Sequence, residues 1–368
     1  MQNIFNYIKN FGHLSFEEEP FNDVDNLVFA SLSYVDYNQN FMLSHSRATI
    51  EETANDYFLN HDKKLISKNI TAVRQAIKIL GEIKDTKRYK SIFITNYIYV
   101  GDKSIQFCAM TFEIKKNLYY VSFEGTDHLI SGWKEDFQMA YMFPVPAQKM
   151  AIDYLNKTIK KIGAKYIIGG HSKGGNLAIT SSMYCHFWIK NKIIKVYNND
   201  GPGLRKKQIE SKNYKNIEKK ISYIIPNYSF VGLLLRHTDN YQVVYSYEKG
   251  ILAHDLTNWK IEGKSFVPAK LSFLSKELDL IIIKWLDKYN DIERKKFVDS
   301  LFDVCTRADI NNLIDIKSSK FNNLIKIIKE TKNMDQETKR MIIDLFKFIL
   351  KFCSIDLKNQ IFSKKEEL

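Results

Sequence analysis

The sequence predicts an α/β protein, with a largely parallel central sheet covered on both faces by helices and a helical subdomain at the C-terminus. Three observations carry this reading. Strand-like and helix-like runs alternate from about residue 118 to 247, the order a parallel sheet with crossover helices requires. Within that region Ala164-Lys-Tyr-Ile-Ile-Gly-Gly-His-Ser-Lys-Gly-Gly-Asn-Leu-Ala178 reads as a buried strand, a glycine-pinched turn and the start of a helix. Beyond about residue 270 the strand signal stops and amphipathic helices take over. With 368 residues, 45% apolar and 13% aromatic, the chain can bury a sizeable core and exceeds the usual single-domain size. The expected division is an N-terminal extension over 1–20, an α/β domain over 21–262 and a helical subdomain over 263–368.

In chain order, Phe21 to Tyr34 sets Phe21, Val24, Leu27, Val28 and Leu32 at helical spacing behind Asn22 and Asp23, and Ile70 to Leu80 repeats the pattern. A meander follows, with strands at Ile92 to Val100, Ile105 to Ile114 and Leu118 to Phe123, and turns at Gly101-Asp102 and Lys116-Asn117. Ala151 to Ile162 reads as a helix ended by Gly163. Asn176 to Ile189 continues the helix after the glycine-pinched turn, and strands are expected at Ile193 to Tyr197, Ile221 to Ile225 and Gln242 to Tyr247. Four amphipathic helices complete the chain, over Leu271 to Tyr289, Ile292 to Thr306, Asn322 to Lys332 and Gln336 to Phe352.

Several function classes recede on composition alone. The start, Met1-Gln-Asn-Ile-Phe-Asn-Tyr-Ile-Lys-Asn10, lacks a basic segment followed by an apolar run, and the longest apolar stretches fall short of a membrane span, so a cytoplasmic protein is expected. Cys108, Cys185, Cys305 and Cys353 are scattered with no C-x-x-C pair, which implies neither a disulfide framework nor a zinc site and fits small buried hydrophobes. The net charge of +13 allows attraction to an anionic membrane surface or to nucleic acid, but no nucleic-acid-binding motif is visible. Arg205 to Lys220, the densest basic stretch, reads as an exposed helix whose lysines are either simply solvated or an anionic-surface contact.

The chemistry is announced by Gly170-His171-Ser172-Lys173-Gly174, which fits G-x-S-x-G. In this nucleophile elbow a strained strand-to-helix turn lifts a serine hydroxyl out of the sheet, and the flanking positions favour residues without a Cβ. The pentapeptide alone arises by chance often enough to need its context, and here strand, turn and helix arrive in the required order. A serine hydroxyl needs a base to take its proton and an acid to orient that base, and in hydrolases of this kind the acid and then the histidine follow the serine. Asp200, in Asn199-Asp-Gly-Pro-Gly203 at the end of the next strand, is the leading acid, against the simpler reading of an Asx-turn residue. Asp239 and Asp255 are the other candidates. His254, in a loop after the last clear strand, is the leading base; His237 and His186 are its rivals, the former read as a core or edge histidine and the latter as buried by the elbow helix. His171 flanks the serine and is read either as packing or as a support for the groups around it. Oxyanion donors are expected from the Lys173 backbone N–H and from the Gly125-Thr126 turn, where Thr126 offers backbone and hydroxyl groups. Asp127, Glu135 and Asp136 are too weakly spaced to argue for a metal, and serine hydrolysis needs no cofactor.

The run Phe123-Glu-Gly-Thr-Asp127, then Trp133-Lys-Glu-Asp-Phe137 and the elbow at Ser172, resembles class 3 lipases, which carry an Arg-Gly-Ser/Thr oxyanion turn, a downstream Trp and Asp, and G-H-S-x-G. Phe21 to Tyr34, Asn199 to Gly203 and Gly250 to Trp259 are similar to a bacterial domain family of unassigned function allied to those lipases. The resemblance covers roughly residues 20 to 260. It implies an α/β-hydrolase fold with Ser172 as nucleophile, His254 as base, and Thr126 with Lys173 at the oxyanion hole. Two positions depart from the lipase pattern: Glu124 stands where arginine is usual, and Pro226-Asn-Tyr-Ser229 has no carboxylate where the acid is generally found, which moves the acid to Asp200. Trp133, Phe137, Tyr141, Met142 and Phe143 follow the oxyanion turn where those lipases carry a lid; they read either as an apolar lid suited to an acyl chain or as ordinary helix packing. The expected function is a serine hydrolase of carboxylic, or lipid, esters. The alternative is a degenerate hydrolase-fold module that binds a partner or membrane through its basic surface and C-terminal helices.

Overall fold

The computed structural model describes residues 1–61, 71–101, 106–126, 130–238, 240–308, 329–332 and 334–347. Helices α1 (Ile4–Phe11), α2 (Asp23–Leu32) and α3 (Gln39–Ser44), strand β1 (Arg47–Thr49), and helices α4 (Ile50–Asn60) and α5 (Thr71–Ile83) precede the meander β2 (Phe93–Gly101), β3 (Gln106–Lys115) and β4 (Leu118–Phe123). Helices α6 (Ile130–Gln138) and α7 (Pro146–Thr158) lead to β5 (Lys165–His171), which turns at Ser172 into α8 (Lys173–Tyr184). Strands β6 (Ile193–Asn199), β7 (Ile221–Pro226) and β8 (Tyr241–Val244) follow, then the small hairpin β9 (Ile261–Glu262) and β10 (Ser265–Phe266), and helices α9 (Phe273–Lys288) and α10 (Asp291–Arg307). A further helix covers 336–347.

The main sheet has eight strands in sequential order, antiparallel from β1 to β4 and parallel from β4 to β8. This is an α/β-hydrolase fold, as expected. Alternation of side chains along each strand divides them between two cores. Tyr120, Ile167, Tyr197 and Ile224 face a layer built by α1, α2, α4 and α5, while Val121, Ile168, Val196 and Tyr223 face α7 and α8. Helix α1 lies in the stretch read as an extension, yet Ile4, Tyr7 and Ile8 are buried in the first of these cores. A third core joins Trp133 of α6 and Ile225 of β7 to Leu274, Leu278, Phe297 and Phe302 of the C-terminal helices. No helix among the described residues is long and apolar enough to cross a membrane.

Local physics explains where element boundaries differ from expectation. Helix α7 starts at Pro146 rather than Ala151, because proline suits the first helical position and the Gln148 side chain accepts the Val145 N–H at 3.0 Å. It stops at Thr158, and Gly163 lies beyond it in a turn at φ 74°. Helix α8 ends at Tyr184, where Cys185 turns extended, and a separate short turn covers Phe187–Lys190. The basic stretch is not one helix. It breaks into turns at Lys206–Ile209, Lys212–Lys215 and Glu218–Lys220, with Ser211 capping the second and Tyr214 and Ile217 buried. Cys108, Cys185 and Cys305 are buried and free; Cys353 lies outside the described residues, as do most of 322–332 and the end of 336–352.

Candidate active site

The sheet brings the serine turn and the threonine turn together through neighbouring parallel strands. Phe123 at the end of β4 pairs with Gly170 near the end of β5, so both chains leave the sheet at the same edge. Ser172 sits at φ 56°, ψ −132°, a backbone conformation an L-residue adopts only under strain. The glycines of the motif are required by contact. A Cβ at Gly174 would lie 2.1 Å from the Phe123 carbonyl oxygen, and one at Gly170 2.4 Å from the Gly174 carbonyl carbon. Gly125 is equally confined, since a Cβ there would lie 1.9 Å from the Tyr34 hydroxyl and 2.6 Å from the His171 carbonyl oxygen. The 123–126 turn is thus pressed directly on the elbow.

Asp200 and His254 meet although their sequence separation is 54 residues: His254 Nδ1 lies 2.6 Å from Asp200 Oδ2. Asp200 is fully buried at φ 50°, and its other oxygen accepts from Ser229 Oγ at 2.5 Å and from the Gly232 N–H at 3.1 Å. Ser229, in the segment that has no carboxylate, therefore donates to an aspartate at the end of the preceding strand. Asp255 is spent elsewhere, its Oδ1 accepting from the Thr257 N–H at 2.9 Å and Oγ1 at 2.8 Å. Asp239 and Asp127 lie outside the described residues. His237 is half-buried, 3.9 Å from Asp279 of α9, and its ring packs on Tyr241. His186 is exposed, contrary to the expectation that α8 would bury it, because the helix ends before it.

His171 does more than pack. Its Nδ1 accepts from the Tyr34 hydroxyl at 2.8 Å, and its Nε2 donates to the His254 carbonyl oxygen at 2.9 Å. Its ring lies 4.3 Å from that of His254. Burial, and secondarily the nearby His254, holds it well below the usual imidazole range against the opposing pull of its bond to the His254 carbonyl. His171 is therefore neutral, and it ties the His254 loop to the elbow. Neither Ser172 Oγ nor His254 Nε2 has a hydrogen-bond partner among the described residues.

Thr126 donates its hydroxyl to Asp136 Oδ2 at 2.8 Å. A threonine hydroxyl has one proton, so that bond leaves the backbone N–H as the group Thr126 can offer to an anion. The amides of Thr126 and Lys173 donate to no backbone carbonyl outside the regular helices and strands among the described residues. The Lys173 ammonium points away, into a buried pair with Glu135 at 3.2 Å and onto the Gln106 carbonyl at 3.0 Å. Glu135 in turn caps the Ala147 N–H at 2.9 Å. Sequence reading missed Tyr34, Ser229 and the bond from Asp136, none of which has a local signature. Of the residues read either as a lid or as helix packing, Trp133 is buried against the C-terminal helices, Phe137 meets Phe302 at 5.6 Å and Phe143 meets Tyr184 at 4.9 Å, whereas Met142 is exposed.

Asp136 is almost completely buried, and that burial pushes its carboxyl up to about 7, against the lowering pull of Lys173 and the Thr126 hydroxyl. A carboxyl whose pKa is higher folded than unfolded supports folding below about pH 4, and this support is lost as pH rises through about 7. Asp136→Asn is accordingly expected to be more stable than the wild type at pH 8 by about 1–3 kcal/mol, the gap closing as pH falls toward 4. Urea unfolding of both proteins across that range measures it; equal stability at pH 8 would show that the carboxyl carries no such cost.

No curated protein matches the chain. Among solved structures, the crystal structure of M37 lipase aligns at 16% identity over 56% of this chain and 67% of its own, with a TM-score of 0.33. A family model described as Mbeg1-like matches residues 83–303, a span that holds the 123–126 turn, the elbow, Asp200, His254 and α9. Since that match takes in more than half of the chain, this protein belongs to the Mbeg1-like family.

Proposed function

We propose that the chain is a serine hydrolase of carboxylic esters, working through an acyl-enzyme on Ser172. The observation that carries the reading is the 2.6 Å contact between Asp200 and His254 Nδ1, made next to a serine held at positive φ in a G-x-S-x-G turn. With Nδ1 donating to Asp200, the neutral imidazole keeps its lone pair on Nε2, the nitrogen a general base uses to take the serine proton. The Oγ to Nε2 hydrogen bond is then made when substrate orders the site, as free enzymes commonly leave it open. Attack of Ser172 Oγ on the ester carbonyl places negative charge on the carbonyl oxygen, where the Lys173 and Thr126 N–H groups are the donors. The imidazolium returns its proton to the leaving alcohol, and water activated at the same nitrogen releases the acid and restores Ser172.

A fluorophosphonate probe tests this directly. Wild type is expected to be labelled and Ser172→Ala to remain unlabelled, with both giving the same circular dichroism. A folded wild type that takes no label would leave only a binding module on a hydrolase scaffold.

A further inference from the structure

A cavity of about 270 Å³ lies between α6, the Leu234-Leu235 segment and the C-terminal helices. Its walls are apolar and include Phe137, Ala140, Leu278, Ile282 and Trp285. Two acidic residues, Asp136 and Asp344, stand among its described lining. Asp344 is exposed, whereas Asp136 is buried, and it is Asp136 that holds Thr126 in the turn pressed on the elbow. Oδ1 of Asp136 is buried and has no hydrogen-bond partner among the described residues. This is the usual make-up of a small-molecule site, mostly hydrophobic with few polar groups to fix orientation.

We infer that this cavity receives the alkyl chain of a medium-length acyl group, so that the C-terminal helices set the chain length of the substrate. The inference rests on the hydrolase reading for why an acyl chain would enter beside Thr126. Along the described lining only Asp136 and Asp344 offer partners to a polar group, so a peptide would leave most of its amides unsatisfied there. At about the 30 Å³ of a liquid water molecule per methylene, the space holds roughly nine carbons. Each buried methylene improves binding by about fourfold, so chain length should be read steeply up to that limit. Beyond it the chain reaches half-exposed Ile281 at the rim and the gain ends.

Two measurements on the full chain test the proposal, one of them independent of catalysis. Calorimetry with 1-decanol is expected to show binding to the wild type, at least tenfold weaker in Ala140→Phe and in Ile281→Trp. The second variant changes a half-exposed side chain, so it remains informative if the first does not fold. In a p-nitrophenyl ester series, kcat/KM should rise with acyl length to about eight to ten carbons, and the ratio for decanoate over acetate should fall tenfold or more in either variant. Absence of decanol binding to the wild type, or equal binding and an equal ester ratio in folded variants, overturns the pocket. Decanol binding that the variants abolish, in a wild type that hydrolyses no ester and takes no fluorophosphonate, keeps the pocket and sinks the hydrolase instead.

Discussion

Asp200→Asn is expected to lower kcat/KM toward esters by about 10⁴, the scale seen when a triad aspartate becomes asparagine, with the protein still folded. The orientation of the new amide is set by its neighbours. Ser229 Oγ and the Gly232 N–H both donate to the Oδ1 position, so the amide oxygen must sit there and the NH₂ group must face His254 Nδ1. A donor facing Nδ1 forces the imidazole proton onto Nε2, where it blocks the base. Reversing the amide would bring its NH₂ against two donors in a fully buried place, so that escape is costly. Steady-state kinetics and the rate of fluorophosphonate labelling should fall together. A loss below tenfold in a folded variant would mean that the acid is not Asp200.

Asp25→Ala is expected to cost about 3–5 kcal/mol of stability, measured as a lowered urea midpoint at unchanged slope. Asp25 and Arg88 form an ion pair with both side chains fully buried, Nη2 to Oδ2 at 2.6 Å and Nε to Oδ1 at 2.8 Å. Tyr7 and Tyr89 also donate to Asp25 Oδ1, at 3.0 and 2.6 Å, and its Oδ2 accepts the Asn22 N–H at 3.0 Å to complete the cap of α2. Removing the carboxylate strands a guanidinium whose remaining acceptors are the carbonyls of Leu14, Ser15, Glu19 and Pro20. The same helix carries Asn26, bonded to Asn199 at 2.8 Å, and Asn199 holds the Gly170 carbonyl at 3.0 Å. Loosening α2 is therefore felt at the elbow. Loss of less than 1 kcal/mol would place the weight of this network elsewhere, and the paired Asp25→Asn with Arg88→Met should recover part of the cost.

What was legible in the chain was local. The helix at Asp23–Leu32 was visible because Asn22 caps it and apolar residues repeat every three or four positions, both properties of a single turn of helix. The meander strands and the strand, turn and helix around Ser172 were legible for the same reason, as was the need for glycine at 170 and 174. The ends of α7 and α8 were misplaced because a proline start and an extended break at Cys185 compete weakly with hydrophobic period. The basic stretch failed differently. Charge pattern predicted a helix, while burial of Tyr214 and Ile217 made three short turns the better way to cover the sheet.

By itself the sequence determined the class of fold and the identity of the strained serine, since a sharp turn without Cβ atoms is written in consecutive residues. Only the tertiary structure decided which carboxylate meets His254, that Ser229 donates to that carboxylate, that His171 fastens the His254 loop, and that the aromatic helix after Thr126 is covered by the C-terminal helices. The physical reason is that these contacts join residues far apart in the chain. Their geometry is set by how strands and helices stack, which no short window of sequence contains.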